Sequence, residues 1–203
     1  MDVALKCRCG ALQGVARGLS EGQVRRIVCY CDDCQAYARY LGGADRVLDA
    51  HGGTEVTPIA PAKLRFTQGA ERLACVRLSP RGMIRWHAAC CDTPVANSTP
   101  NSRIPFAGVV HTILDFPSGG PTREQALGPV FAGVQGRFAI GQPPAGTAQG
   151  VSLRVIATTI RFLATGLVRG HHRPSPFFDA KGEPSRMPYV LTLAERTDAT
   201  RAP

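Results

Sequence analysis

Apolar and polar positions change their spacing along this chain. In the first half, short apolar runs broken by turn residues predict strands over Val24 to Val28, Leu64 to Phe66 and Leu73 to Leu78. Ser79-Pro80-Arg81-Gly82 supplies a turn, and Met83 to His87 returns as the second arm of a hairpin. Val109 to Phe116 is a further strand-like run, and Tyr189 to Leu193 reads as the last strand. Clear helical spacing appears in two stretches. Cys34 to Leu41 gives two turns stopped by Gly42-Gly43, with Asp32 or Asp33 placed to cap its start.

The second helix is the clearest. Leu153, Ile156, Ile160, Leu163 and Leu167 recur at three and four residues, with Ser152 as cap and Gly170 as stop. That stripe needs a cover, either the β core or a second subunit, so a homodimer is one expectation. Arg154 and Arg161 lie on nearly the same side of it, facing solvent or lining a surface for an anion. Pro117 to Gly150, rich in Gly and Pro, reads as loops with a small helical segment from Thr122 to Phe131. The expected fold class is mainly β with a few helices (α+β). Residues 1–116 form the β domain, and residues 117–203 add loops, helix and a final strand packed on it.

Composition narrows the partners. Of the 203 residues 44% are hydrophobic, which suffices for a buried core. The net charge of +9 comes from 24 Lys+Arg against 15 Asp+Glu, and nearly all of the excess is arginine, which favours planar anions. The arginines are scattered, with no Lys/Arg run, so a small anion is expected rather than nucleic acid. The N-terminus has no apolar signal region, and Val151 to Val168, the nearest approach to a membrane span, carries Arg154 and Arg161. The expectation is a cytoplasmic chain without a membrane partner. In a reducing compartment its eight cysteines point to metal rather than disulfides.

Cys29-Tyr30-Cys31-Asp32-Asp33-Cys34 is the strongest of these signals. Three thiolates at C-x-C-x-x-C suit Zn²⁺, and if they are its only protein ligands the fourth position is open to chemistry. A helix starting here would lower the pKa of Cys34. A closed zinc knuckle is the plainer reading. Cys7-Arg8-Cys9-Gly10 forms a second knuckle, where Gly10 can take the positive φ of a tight turn. The hairpin ends in Trp86-His87-Ala88-Ala89-Cys90-Cys91-Asp92-Thr93-Pro94, and Cys90 and Cys91 complete a four-sulfur set with Cys7 and Cys9. Cys75 reads as a buried apolar cysteine, and His51, His171 and His172 as surface residues.

This order of motifs resembles the glutathione-dependent formaldehyde-activating enzyme family over roughly Val3 to Val95. The resemblance implies a compact zinc-binding β fold, here with a C-terminal helical extension. It implies two zinc ions per chain: a structural ion on Cys7, Cys9, Cys90 and Cys91, and a catalytic ion on Cys29, Cys31 and Cys34. The implied activity is that of a carbon–sulfur lyase acting on glutathione and an aldehyde. The chain departs from the family's final C-x-x-C-G-T-P, because Ala88 fills the first cysteine position and Asp92 replaces the glycine. Either Cys90 and Cys91 both ligate through an altered turn, or one does and His87 supplies the fourth donor. Arg8, Arg25, Arg26 and Arg39 are candidates to offset the negative charge of the sulfurs. Tyr30 is a candidate acid, although a packing role is commoner. The rival reading is a zinc-stabilised binding module whose triplet is closed by Asp32 or by burial.

Overall fold

The computed structural model describes residues 1–20 and 24–201. The chain opens with β1 (Val3–Lys6), β2 (Gln13–Ala16) and β3 (Ile27–Cys29), then α1 (Asp32–Tyr40) and α2 (Ala44–Val47). It continues through β4 (Thr54–Ile59), β5 (Leu64–Gln68), β6 (Leu73–Arg77), β7 (Ile84–Ala88), β8 (Thr93–Ser98), β9 (Ala107–Val110) and β10 (Leu114–Asp115). The rest is α3 (Arg123–Leu127), β11 (Ala132–Val134), α4 (Leu153–Val168), β12 (Tyr189–Val190) and α5 (Leu193–Thr200). The fold is α+β, as expected. One sheet has the order β10-β1-β2-β5, and the other β11-β3-β4-β9-β8-β7-β6-β12.

Burial explains how the layers stack. In β1, Val3 and Leu5 are buried while Ala4 and Lys6 face water, the alternation of a sheet covered on one side. Every residue of β7 and β8 is buried, so both faces of those strands are covered. On one side Ile84 and Trp86 share a core with Val3, Leu5 and Phe177. On the other, Ala36, Tyr37 and Leu41 around α1 pack with Val76, Leu78, Leu191 and Ala199. Tyr37 Oη donates to the Trp86 carbonyl at 2.9 Å, fixing α1 on the strand that carries Trp86. Arg26, 4% exposed, pairs with Glu55 at 2.8 Å and donates to the Gly128 carbonyl, holding β3 to β4 and to the loop before β11.

Several expected elements are redrawn. The run Val109 to Phe116 breaks at a 3₁₀ turn, His111–Ile113, because β9 and β10 belong to different sheets. Only Tyr189 and Val190 of the predicted last strand pair with β6; Leu193 begins α5, where Thr192 and Glu195 make a capping box. The segment Thr122 to Phe131 is helical over Arg123–Leu127 alone, since Gly128 leaves at φ 79° and the chain proceeds to β11, parallel to β3. The first helix starts at Asp32, and its N-cap is Cys31 rather than Asp32 or Asp33.

The largest difference lies in α4. The helix forms between Ser152 and Arg169, but its apolar stripe faces outward: Leu153 is 83% exposed and Ile160 61%. The buried contacts come from Val155 and Gly166 on another face, where a side chain at Gly166 would meet Pro105 at 2.7 Å. Gly166 lets the helix approach Pro105 closely, so Val155 and Gly166 rather than the apolar stripe set its orientation.

One glycine ties the four-stranded sheet to the loop after Cys9. Gly69 has φ 69°, and an added Cβ would lie 1.9 Å from the Ala11 carbonyl oxygen. Gly42 has φ 62° but open space around it. Gly69→Ala is expected to cost about 3 kcal/mol or more and Gly42→Ala about 1 kcal/mol, read from urea unfolding midpoints. Equal losses would show that backbone conformation alone sets the cost.

Candidate metal centres

The first centre is built where a strand hands over to a helix. Cys29 ends β3, held in register by Thr54 of β4 on one side and Val134 of β11 on the other. Cys31 then takes the extended backbone of an N-cap, φ −61° and ψ 149°, and its Sγ accepts from the Cys34 N–H at 3.4 Å. The three sulfurs lie within 4.8 Å of one another, a grouping that could hold a metal ion. Cys34 is buried, whereas Cys29 and Cys31 are half-buried. Beside Cys34 a slot bounded by Tyr37, Thr54, Arg85 and Asn97 is too narrow for water, so any approach comes from the side of Cys29 and Cys31.

Arg85 is the residue that sequence reasoning missed. It is 4% exposed on β7, with Nη1 3.9 Å from Cys34 Sγ and 3.3 Å from Asn97 Oδ1. Nη2 lies 3.4 Å from Asp33 Oδ2, and the guanidinium stands over the Tyr37 ring. Burial opposes its charge, but Cys34 and Asp33 outweigh burial and raise its pKa. Of the arginines named from sequence, Arg8 bonds the Cys91 carbonyl at 2.8 Å and Arg39 bonds Gln35. Arg26 is committed to Glu55, and Arg25 lies over Phe131. Strand pairing explains the miss, because Arg85 is 51 residues from Cys34 in sequence.

One negative charge concentrates on Cys34. Hydrogen bonds from Cys29 and Cys31 hold its pKa well below the usual thiol value, outweighing burial, and Arg85 adds to the effect. For Cys29 the bond with Cys31 works downward, but the bond with Cys34 and burial push it up to about 12. Cys31 is also raised, by its bonds to Cys29 and Cys34. Tyr30 is a packing tyrosine: it is 2% exposed, its hydroxyl donates to Asp49 Oδ2 at 3.3 Å, and burial pushes it up to about 12. Asp32 accepts from the Asp33 N–H and is not among the grouped ligands.

The second centre joins segments more than eighty residues apart. Cys7, Cys9, Cys90 and Cys91 place their sulfurs within 4.8 Å of one another. Sulfurs about 2.3 Å from a tetrahedral zinc ion stand about 3.8 Å apart. Here Cys7–Cys9 is 3.6 Å, Cys7–Cys90 3.8 Å, Cys9–Cys90 3.3 Å and Cys90–Cys91 3.9 Å, a fit to such an ion. Gly10 takes φ 77°, as its knuckle requires, and Asp92 itself takes φ 53° after the paired cysteines. Both Cys90 and Cys91 thus enter the group through the turn that begins at Ala88. His87 stays outside it, buried in β7 with Nδ1 unpaired. Cys75 is buried and donates to the Arg186 carbonyl.

Together these features define an α+β protein with two cysteine groups able to bind metal. The chain belongs to a family of unknown function, DUF6151, whose model matches residues 1–186. Among solved structures it is similar to a Rhodobacter sphaeroides protein at 23% identity. That match covers 61% of this chain and 94% of the other, with a TM-score of 0.38. No curated protein matches the chain. Among the described residues no helix is long and apolar enough to cross a membrane.

Burial works against ionising Cys91, but bonds from Thr93, Cys9 and Cys7 outweigh it and lower its pKa to about 6. Cys34 and Cys91 are therefore depressed in the folded state. The stability they contribute is complete above the unfolded value of 9.0 and is lost as pH falls through the folded values. Metal-stripped protein is expected to show a falling denaturation midpoint between pH 9 and about pH 6, and Cys91→Ser is expected to flatten that slope. An unchanged slope in the variant would place the titrating group elsewhere.

Proposed function

We propose that the protein is a zinc-dependent carbon–sulfur lyase-like protein whose Cys29, Cys31 and Cys34 centre receives a glutathione-type thiol and its aldehyde adduct. One observation carries this reading: the three sulfurs form a ligand group with no fourth Cys, His, Asp or Glu among the described residues. Soft thiolates favour Zn²⁺ over hard cations. When bound, such an ion would hold a substrate sulfur deprotonated at neutral pH and leave it free to attack a carbonyl. Cys29 and Cys31 present the accessible side, and Arg85 and Asn97 keep the buried side polar and positive. The Cys7, Cys9, Cys90 and Cys91 group takes the structural role, tying the N-terminal knuckle to the β7–β8 turn.

The resemblance to glutathione-dependent formaldehyde-activating enzymes supports the same reading through the cysteine order alone. In this proposal residues 1–116 form the domain that carries both centres, and residues 117–203 pack on it. The eight free cysteines fit a reducing cytoplasm. A second reading, a non-catalytic zinc-stabilised module that binds a protein or nucleic acid, draws support from the burial of Cys34 and the closed slot beside it.

Elemental analysis of the purified chain is expected to give about two zinc ions, and about one in Cys31→Ser. In Co²⁺-loaded protein, glutathione is expected to shift the visible absorption bands while S-methylglutathione does not. Turnover of the glutathione–formaldehyde adduct should fall at least about 100-fold in Cys31→Ser, with the fold retained by circular dichroism. Bands indifferent to glutathione would favour the binding module and overturn the lyase reading.

A further inference from the structure

Behind α4 lies a cleft of about 560 Å³, within the range of small-molecule sites. Its apolar surface includes Ile27, Ile59, Phe106, Phe131 and Phe162. Its charged side chains are all potential cations: Arg25, Lys63, Arg161, Arg169 and His171, and no carboxylate lines it among the described residues. Arg161 and Arg169 stand two helical turns apart, and neither makes a salt bridge among the described residues. Arg25 and Arg154 both lie over the Phe131 ring, at 5.0 and 4.6 Å from its centre, so this wall is already positively charged.

We propose that this cleft binds an amphipathic anion, a carboxylate or phosphate head on an apolar body, with Arg161 and Arg169 holding the head. Cations gathered around an apolar floor, with no carboxylate among the described residues that line it, repel one another, and an anion of this shape relieves the repulsion while burying apolar surface. Thr159 and Thr165 add hydroxyl donors to the same wall. The volume suits a chain of roughly a dozen carbons with its head group. The site is separate from the outward stripe of α4, because Ile156 and Ile160 do not line the cleft. It also stands independently of the thiol chemistry proposed for Cys29, Cys31 and Cys34.

Isothermal titration calorimetry with decanoate and 1-decanol on the full chain tests this assignment. Decanoate is expected to bind at least about tenfold more tightly than decanol and to weaken with added salt. Arg161→Gln/Arg169→Gln should reduce decanoate affinity about tenfold or more, and Thr159→Trp, which fills the cleft, should abolish it. Ile156→Gln/Ile160→Gln should leave binding unchanged. Equal affinity for decanol, full binding by the Arg161/Arg169 or Thr159 variant, loss of binding in the stripe variant, or no decanoate binding by the wild-type chain would each overturn the proposal.

Discussion

A guanidinium with 4% of its surface exposed cannot stand alone, and Arg85 sets the terms for everything around it. Its counter-charges are the Cys34 sulfur and the Asp33 carboxylate, both from α1, while Asn97 of β8 takes a further N–H. Strand β7 and helix α1 are therefore joined by charge as well as by the Tyr37–Trp86 hydrogen bond. The helix start delivers Cys34 and Asp33 one residue apart, and the strand delivers Arg85 opposite Asn97. Displacing either element would leave a buried ion unpaired, so the placement of the first centre and the stacking of α1 on the sheet are one requirement.

The second centre meets a different demand. β1 and the β7–β8 turn are far apart in sequence, and a metal ion held by the four-sulfur group would convert that long loop closure into local bonding. Vicinal Cys90 and Cys91 can both join because the chain reverses at Ala88: the Cys91 and Asp92 N–H groups both reach its carbonyl. Asp92 then leaves in the left-handed region, which aspartate tolerates better than most side chains. The Ala88 departure and the adjacent cysteine pair are thus parts of one turn, and His87 has no ligand role to fill.

What the sequence disclosed was mostly local. C-x-C and C-x-x-C spacings bring sulfurs together through a few backbone bonds, so the triplet and the Cys7–Cys9 knuckle were legible before any fold was known. Joining that knuckle to Cys90 and Cys91 crosses more than eighty residues and rested on completing a four-sulfur set. Ser152 capping α4 was equally legible, and so was Gly10. Arg85 was not, since its meaning comes from β-pairing that places it on the helix carrying Cys34. β11 escaped because Ala132-Gly133-Val134 has little strand propensity; it pairs parallel to β3, and a side chain at Gly133 would collide with Thr147. α5 carried a readable signal in Thr192 and Glu195, a capping box that the preceding strand-like residues masked. The α4 stripe misled for a physical reason. Periodicity reports which residues share a face, while the face that packs is the one carrying Val155 and Gly166, where glycine admits Pro105.

Charge at the first centre reaches into the C-terminal segment. Three thiolates on a divalent ion would carry roughly one net negative charge. Arg85 supplies one positive charge but shares it with Asp33. Arg196 of α5 lies 3.6 Å from the other Asp33 oxygen, with both side chains about 40% exposed, so its contribution is screened by solvent. Even a screened partner for Asp33 leaves more of the Arg85 field for the sulfur. α5 lies past residue 186, where the family match ends, yet it packs its Ala199 against the cluster that holds Tyr37. The electrostatic surroundings of the cysteine triplet are therefore completed by a helix outside the matched span, a segment that carries no cysteine.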